Sequence, residues 1–455
     1  MRGNAGTLTR GLKPFHAVPP RGAPFDAEVV ANALQEEMVG DSGRRRIVHC
    51  LPGRARATPA GGYRLRYQLE IVEPSGETLA TTISAHVLAT PGARRLLEDR
   101  LRRLGQRAQG RPELRAFERP VASIDALEMV ACAYPIDADL PTLIEATDPA
   151  IAAVLLGTAP DQCAVSLVRY GRGSRCVLRY DAGSLVALGK VSDDDRGARA
   201  ERVIASLRAE RAGEVPVRSF DVPRALGYDP ALRLLLLEWT PGEARLSQLL
   251  RLYVRGEGPP MAEIEHAVES HGAIAAALHG SRATAERPRP VAAELARLAD
   301  EIATVRSTAP DLAHWLGRML VAAEERAGRS GVLPTCLCHG DLKHNQILED
   351  GARRTLVDFD TVCDAEPALD LGHFLAYLRL KVPTDAADRL CDRFLAGYLH
   401  ATGSRPGMQD LRERVAVYEV LSLLGRAVHS YQKFKPERLA AIGCLLEERV
   451  ACPAP

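Results

Sequence analysis

Lysine and asparagine are nearly missing from this 455-residue chain: it holds six lysines among its 59 Lys+Arg residues, and three asparagines in all. A lysine that does occur is therefore less readily dismissed as a casual surface charge. Aromatic residues are sparse as well, at 5%. No apolar run reaches the roughly 20 residues a membrane-spanning helix requires, so no membrane is expected as a partner. The basic start MRGNAGTLTRGLKPFHAVPPRGAPFD has no apolar block behind it, and residues 1–28 read as a flexible leader, not a secretory signal. Charge of one sign is lacking too. A formal net charge of +1 excludes a global field that would steer the protein onto nucleic acid or an anionic surface.

Ten cysteines are present, but no two form a C-x-x-C pair. Scattered thiols without an export signal point to a reduced, cytoplasmic protein and not to a disulfide scaffold. Cys336-x-Cys338 could hold a metal, yet no second pair at zinc spacing completes it, so filling a strand is the simpler expectation. Hydrophobic content of 46% with 26% charge is ordinary for a globular chain, and this length calls for two or three domains.

Along the chain, an α+β N-terminal domain is expected over 29–150. It begins with a helix at EVVANALQEEM and continues through strands RRIVHCL, YRLRYQLEIV and ETLATTISAHVLA. A basic helix follows around GARRLLEDRLRRLGQR, its arginines forming a solvated face. After the extended piece LEMVACAYPID comes a Pro/Asp-rich connection. A small β-rich lobe is expected over 151–240: CAVSLVRY, RCVLRYD and SLVALGKV as three strands, ARAERVIASLRAER as a helix, then ALRLLLLEWT. Residues 241–455 read as helical almost throughout, broken by CLCHGDLKHNQILEDGARRTLVDFDTV. YRLRYQLEIVEPSGETLATTISA faintly echoes RCVLRYDAGSLVALGKVS, an echo that either a duplicated strand unit or two ordinary sheets built under the same rules would give, the second being the simpler expectation.

The break in the helical region concentrates the chemistry. Asp350-Gly351 is a tight hairpin turn between QIL and RTLV, which brings HGDLKHNQ and Asp358 to the same end of the two strands. A carboxylate (Asp341), an ammonium (Lys343), an amide and a second carboxylate (Asp358) should converge there. A carboxylate and an amide oxygen suit Mg²⁺, and a neighbouring carboxylate can orient a hydroxyl and accept its proton. That set fits phosphoryl transfer from a nucleotide.

HGDLKHNQIL followed by LVDFDTVCDAEPALDLGHFLAYL resembles the aminoglycoside phosphotransferase and choline kinase superfamily, relatives of the protein kinases, over roughly residues 160–450. The resemblance implies a protein-kinase-like bilobal α+β fold preceded by the extra N-terminal domain, with ATP as co-substrate and Mg²⁺ as cofactor. It places Asp341 on the catalytic aspartate, Lys343 near the γ-phosphate, Asp358 on the metal-binding aspartate and Asp370 on a brace of the catalytic loop. The family's metal-binding amide falls at Gln346, a glutamine that bacterial maltokinases also show. Asn345 would point away and hydrogen-bond the loop. Gly171, Gly173 and Ser174 would approach phosphate, Lys190 would pair with the α/β-phosphates, and Glu201 (or Glu210) would be its ion-pair partner. Backbone groups from Glu238 to Thr240 would meet the adenine edge.

The implied activity is transfer of a γ-phosphate to a hydroxyl of an aminoglycoside, sugar or amino alcohol. A nucleotide-binding pseudokinase, with Gln346 marking lost catalysis, is the alternative. A metallophosphoesterase built on His339, Asp341, His344, Asp358 and Asp360 lacks enough ligands in separate loops. His339 is expected to orient the catalytic loop, and His344 to lie on its surface. Asp360, Asp364 and Glu366 could attract a cationic substrate or be structural. The acceptor, the choice between ATP and GTP, and the oligomeric state are not encoded in any motif.

Overall fold

Apolar residues at every second position of YRLRYQLEIV commit it to a half-buried strand: Leu65, Tyr67, Leu69 and Ile71 are buried in turn. The structure, a computed structural model, describes residues 23–40, 45–53, 55–58, 62–170, 175–212, 220–306, 308–403 and 408–451. The chain opens with α1 (Ala27–Leu34), whose N-cap Asp26 accepts hydrogen bonds from the Glu28 and Val29 amides. Then come β1 (Arg46–Pro52), β2 (Arg56–Ala57), β3 (Tyr63–Val72), β4 (Thr78–Val87), α2 (Pro91–Arg107), β5 (Val121–Ile124) and β6 (Met129–Ala133). The strand order is β1-β3-β4-β6-β5, with β2 beside β3.

The Pro/Asp-rich connection contains two helices, α3 (Leu143–Ala146) and α4 (Pro149–Leu156). Asp148 caps α4 through the Ala150 amide and Pro149 takes its first turn, so the residues that read as loop are a helix start. β7 (Cys163–Tyr170), β8 (Arg175–Ala182), β9 (Leu185–Ser192), α5 (Arg196–Ala212), β10 (Ala225–Asp229) and β11 (Leu234–Glu238) follow, with strand order β10-β11-β9-β8-β7.

The two sheets repeat one plan. Leaving aside β2, an addition beside β3 in the first, each has three antiparallel strands leading into a 17-residue helix and two more strands following, the last pairing with the third. Val87 pairs with Met129 as Val191 pairs with Leu234, so His86 stands at the register position of Lys190. The faint sequence echo is thus a repeat of topology reaching beyond the two strands that carry it.

The rest is helical apart from the short strands near the site: α6 (Arg245–Arg255), α7 (Met261–His279), α8 (Val291–Ala303), α9 (Pro310–Arg329), β12 (Cys336–Cys338), β13 (Ile347–Asp350), β14 (Arg353–Leu356), β15 (Cys363–Ala365), α10 (Ala368–Arg379), α11 (Thr384–Thr402), α12 (Met408–Gln432) and α13 (Pro436–Ala451). Contacts divide the chain into two compact units, one of Met1–Tyr134, Arg297–Val321 and Leu423–Cys452, the other of Pro135–Ala296, Ala322–Ser422 and Pro453–Pro455. The second unit holds the β7–β11 sheet and every site residue described below. Among the described residues, no helix is long and apolar enough to cross a membrane.

Candidate active site

β13 and β14 pair from Ile347↔Leu356 to Asp350↔Arg353, closing the expected hairpin with its turn one residue later than read: Asp350 ends the strand, and Gly351, in the left-handed conformation, and Ala352 make the turn. The pairing runs on past the strands. The Val357 amide donates to Gln346 O (2.8 Å) and His339 Nε2 meets Val357 O at 3.0 Å, which sets the HGD turn beside Asp358. His339 orients the loop, as expected. Gly340 has φ +79, and a Cβ built on it would stand 2.2 Å from Thr361 O, so only glycine fits this turn.

Asp370, fully buried on α10, binds both amides of the turn: Oδ2 accepts from His339 (2.6 Å) and Oδ1 from Gly340 (2.8 Å). His279 Nε2, from α7, lies 3.2 Å from Oδ2. Burial opposes ionisation of Asp370, but the His279 bond and the converging donors outweigh it and lower the carboxyl's pKa.

Asp341 is held by Lys343 Nζ on Oδ2 and by His373 Nε2 on Oδ1, the latter at 2.7 Å. Burial again opposes the charge, and the His373 and Lys343 contacts prevail, holding the carboxyl well below the usual carboxylate range. His373 Nδ1 lies 3.1 Å from Ser422 Oγ on α12, so the ring is fixed at both nitrogens. His373 had been passed over in the sequence. Its signal was its place three residues after Asp370, the spacing that puts two side chains on one helix face.

Asp358 has φ +74, a conformation carboxylate and amide side chains tolerate better than most. Its Oδ1 accepts from Lys190 Nζ at 2.7 Å, and the same ammonium reaches Asp360 Oδ1 at 2.8 Å. The expected Lys190–Glu201 pair is therefore corrected: the buried ammonium is taken by the two carboxylates of Asp358 and Asp360, and the half-buried Glu201 carboxylate has no ion pair among the described residues. Glu210 instead accepts from the Arg282 amide. Arg175, also missed, lies 2.5 Å from Asp360 Oδ2 and 4.0 Å from Asp358 Oδ1.

Gln346 is buried, and its Oε1 accepts from the Lys343 amide at 2.7 Å. The loop-bonding role assigned to Asn345 thus belongs to Gln346, while Asn345 is exposed and makes no hydrogen bond among the described residues. The residues present fit a Mg²⁺ ion. Asp358 Oδ2 is outside the contacts just given, the Gln346 amide oxygen has a second lone pair, and both are hard donors on adjoining backbone.

One more expectation is corrected. His344 is buried against Tyr377, ring centroids 4.9 Å apart, and is not a surface residue. Of the two roles left open for Asp360, Asp364 and Glu366, their bonds favour the structural one: Asp360 accepts from Lys190 and Arg175, Asp364 from the Ala285 and Arg287 amides, and Glu366 forms a buried bidentate pair with Arg414 (2.5 and 2.6 Å). The five phosphoesterase candidates do not gather as ligands; among the described residues only His279, Cys336 and Cys338 do. Gly171, Gly173 and Ser174 lie outside the described residues. In the segment expected to act as the hinge, the Glu238 amide donates to Arg224 O and the Trp239 amide to Val186 O, so both donors are taken by the sheet. The Thr240 amide has no such bond among the described residues.

Residues 171–414 match the phosphotransferase enzyme family. Among solved structures, the chain is similar to a choline/ethanolamine kinase family protein from Mesorhizobium loti, at 21% identity over 63% of this chain and 90% of that one, with a TM-score of 0.43. It is similar to a glucosamine kinase solved with glucosamine, ADP and inorganic phosphate, at 20% identity over 66% and 86% of the two chains, with a TM-score of 0.47. A choline kinase from Cryptosporidium parvum is 13% identical over 64% and 89%, with a TM-score of 0.45. No curated protein matches. The α+β fold is protein-kinase-like over about 171–414, and the β1–β6 sheet lies outside the matched region.

Proposed function

This chain belongs to the phosphotransferase enzyme family, and from that premise we propose that it is a small-molecule kinase, moving the γ-phosphoryl group of ATP to an acceptor hydroxyl. The observation that carries the reading is the Asp341 carboxylate, held ionised between His373 and Lys343 on a turn braced by Asp370. So acidic a carboxyl is a weak base at neutral pH. Its work is to accept a hydrogen bond from the acceptor hydroxyl, aim it, and take its proton late in transfer. Phosphoryl transfer passes through a loose, metaphosphate-like transition state that needs positioning and charge neutralisation more than a strong base.

Lys190 and Arg175 supply fixed cations toward the nucleotide phosphates, with Lys343 beside the transferring group. Asp358 and Gln346 would hold Mg²⁺, which when bound supplies positive charge to the phosphate oxygens. The Thr240 amide is the hinge donor we assign to the adenine edge. The nucleotide clamp is assigned to 151–240 and the acceptor site to the helical part of 241–455. With Asp360, Asp364 and Glu366 engaged internally, they give no support to a cationic acceptor over a neutral sugar.

The pseudokinase reading draws on one observation, the engagement of Gln346 Oε1 with the Lys343 amide. That bond leaves one lone pair, so it is compatible with metal ligation. ADP release from Mg·ATP against pooled aminoglycosides, mono- and disaccharides, amino alcohols and nucleosides tests the choice, with Asp341→Ala as control. Turnover with one pool, abolished in the variant, establishes the kinase. Absence of Mg²⁺-dependent ATP binding together with absence of turnover would overturn it.

A further inference from the structure

Strand β12 places Cys336 and Cys338 on one face, with Leu337 on the other, immediately before the HGD turn. Their sulfurs are 3.8 Å apart. The missing partner for this pair comes from far away in the chain: His279, the last residue of α7, brings a ring nitrogen into the group, and the three donor atoms all lie within 4.8 Å of one another. We propose that His279, Cys336 and Cys338 form a binding site for a thiophilic divalent cation of the Zn²⁺ type, separate from the Mg²⁺ ligands Asp358 and Gln346.

Three features carry this. Two thiolates on one tetrahedral zinc, each with a bond of about 2.3 Å, stand about 3.8 Å apart, which is the separation found between Cys336 and Cys338. Two sulfurs and an imidazole are a soft donor set that selects Zn²⁺ over Mg²⁺ or Ca²⁺. His279 also has the support a metal-bound imidazole usually has: its Nε2–H faces the Asp370 carboxylate at 3.2 Å, which assigns the metal to Nδ1, the nitrogen now 3.2 Å from Tyr398 Oη, whose hydrogen bond the ion would replace. No fourth Cys, His, Asp or Glu joins the group among the described residues, so one coordination position is open, to Tyr398 or to solvent.

Without an ion, the Cys338 thiol points to the Ala365 and Glu366 carbonyls at 3.6 and 3.4 Å. Binding replaces the two thiol protons, which leave to solvent, with two metal–sulfur bonds and no net redox change. The ion would tie α7 to the strand that enters the catalytic turn, and the same Asp370 that holds His279 holds the His339 and Gly340 amides. Its occupancy is therefore coupled to the stiffness of that turn.

Titration of the reduced full-length protein with Co²⁺, then Zn²⁺, tests the site without reference to turnover. The expected result is a thiolate-to-Co²⁺ charge-transfer band saturating at one ion per chain and bleached by one equivalent of Zn²⁺. Cys336→Ser should weaken Co²⁺ binding at least tenfold, whereas Cys444→Ser, at an exposed cysteine, should leave it unchanged. If Cys336→Ser fails to fold, peptide mapping of the wild-type protein replaces it: Zn²⁺ should protect the partly exposed Cys336 from iodoacetamide and leave Cys444 reactive. A protein that shows no thiolate–Co²⁺ band at saturation overturns the proposal. So does a band that survives Cys336→Ser, or equal alkylation of Cys336 with and without Zn²⁺.

Discussion

His373 Nε2 lies 2.7 Å from Asp341 Oδ1, so the loop carboxylate assigned to the acceptor hydroxyl is aimed by a histidine of helix α10. His373→Leu should lower kcat/KM by about tenfold to a hundredfold, since a misaimed catalytic group loses rate on that scale. The sign of the pH effect is distinct. Asp341 is depressed in the wild type, so its ionised form persists well into acid, and removing His373 lets the carboxyl rise toward its ordinary range. The acid limb of the kcat/KM profile should therefore move to higher pH. An unmoved limb would show that His373 does not hold Asp341.

Asp370→Asn removes the charge that accepts two buried amides and His279. A loss of about 3 kcal/mol in denaturant unfolding is expected, with activity falling alongside. Because the folded carboxyl is depressed, its contribution is present above the unfolded value near pH 4 and fades as pH falls below it. The stability gap between wild type and variant should narrow in acid. A constant gap from pH 7 to pH 3 would contradict the assignment.

Lys190→Ala should reduce kcat/KM by on the order of a hundredfold or more, as loss of a preorganised cation does. It also leaves Asp358 and Asp360 facing each other with only Arg175 between them, so the apoprotein should lose stability. Lys190→Arg should recover more of the stability than of the activity, because guanidinium replaces the charge but not the point geometry. Parallel unfolding and single-turnover measurements separate the two.

Gln346→Ala should raise the Mg²⁺ concentration for half-maximal activity by on the order of tenfold. Gln346→Asn retains the amide on a shorter arm, so it should shift the Mg²⁺ requirement less than alanine does. A Mg²⁺ titration of all three proteins checks this. Identical midpoints would confine Gln346 to its bond with the Lys343 amide.

Much of the fold was legible because it is local. The alternation in YRLRYQLEIV, the turn at Gly351 and the leucines of ALRLLLLEWT each state their element within a few residues. The helices α3 and α4 were missed because Asp148-Pro149 reads equally as a turn and as a capped helix start. The repeated sheet plan was hidden because topology depends on strand order, which periodicity does not carry.

By itself, the sequence determined the turn that carries the candidate site. HGD, Gln346 and Asp358 sit close in the chain, the hairpin between them has a two-residue turn, and Gly340 has no steric alternative at φ +79. Only the tertiary structure decided who partners whom. Lys190 meets Asp358 across 168 residues, His373 meets Asp341 from a later helix, and His279 arrives beside Cys336 from α7. The reason is physical: a buried charge or soft donor takes whatever partner packing delivers, and packing is settled by surfaces that meet after the local elements have formed.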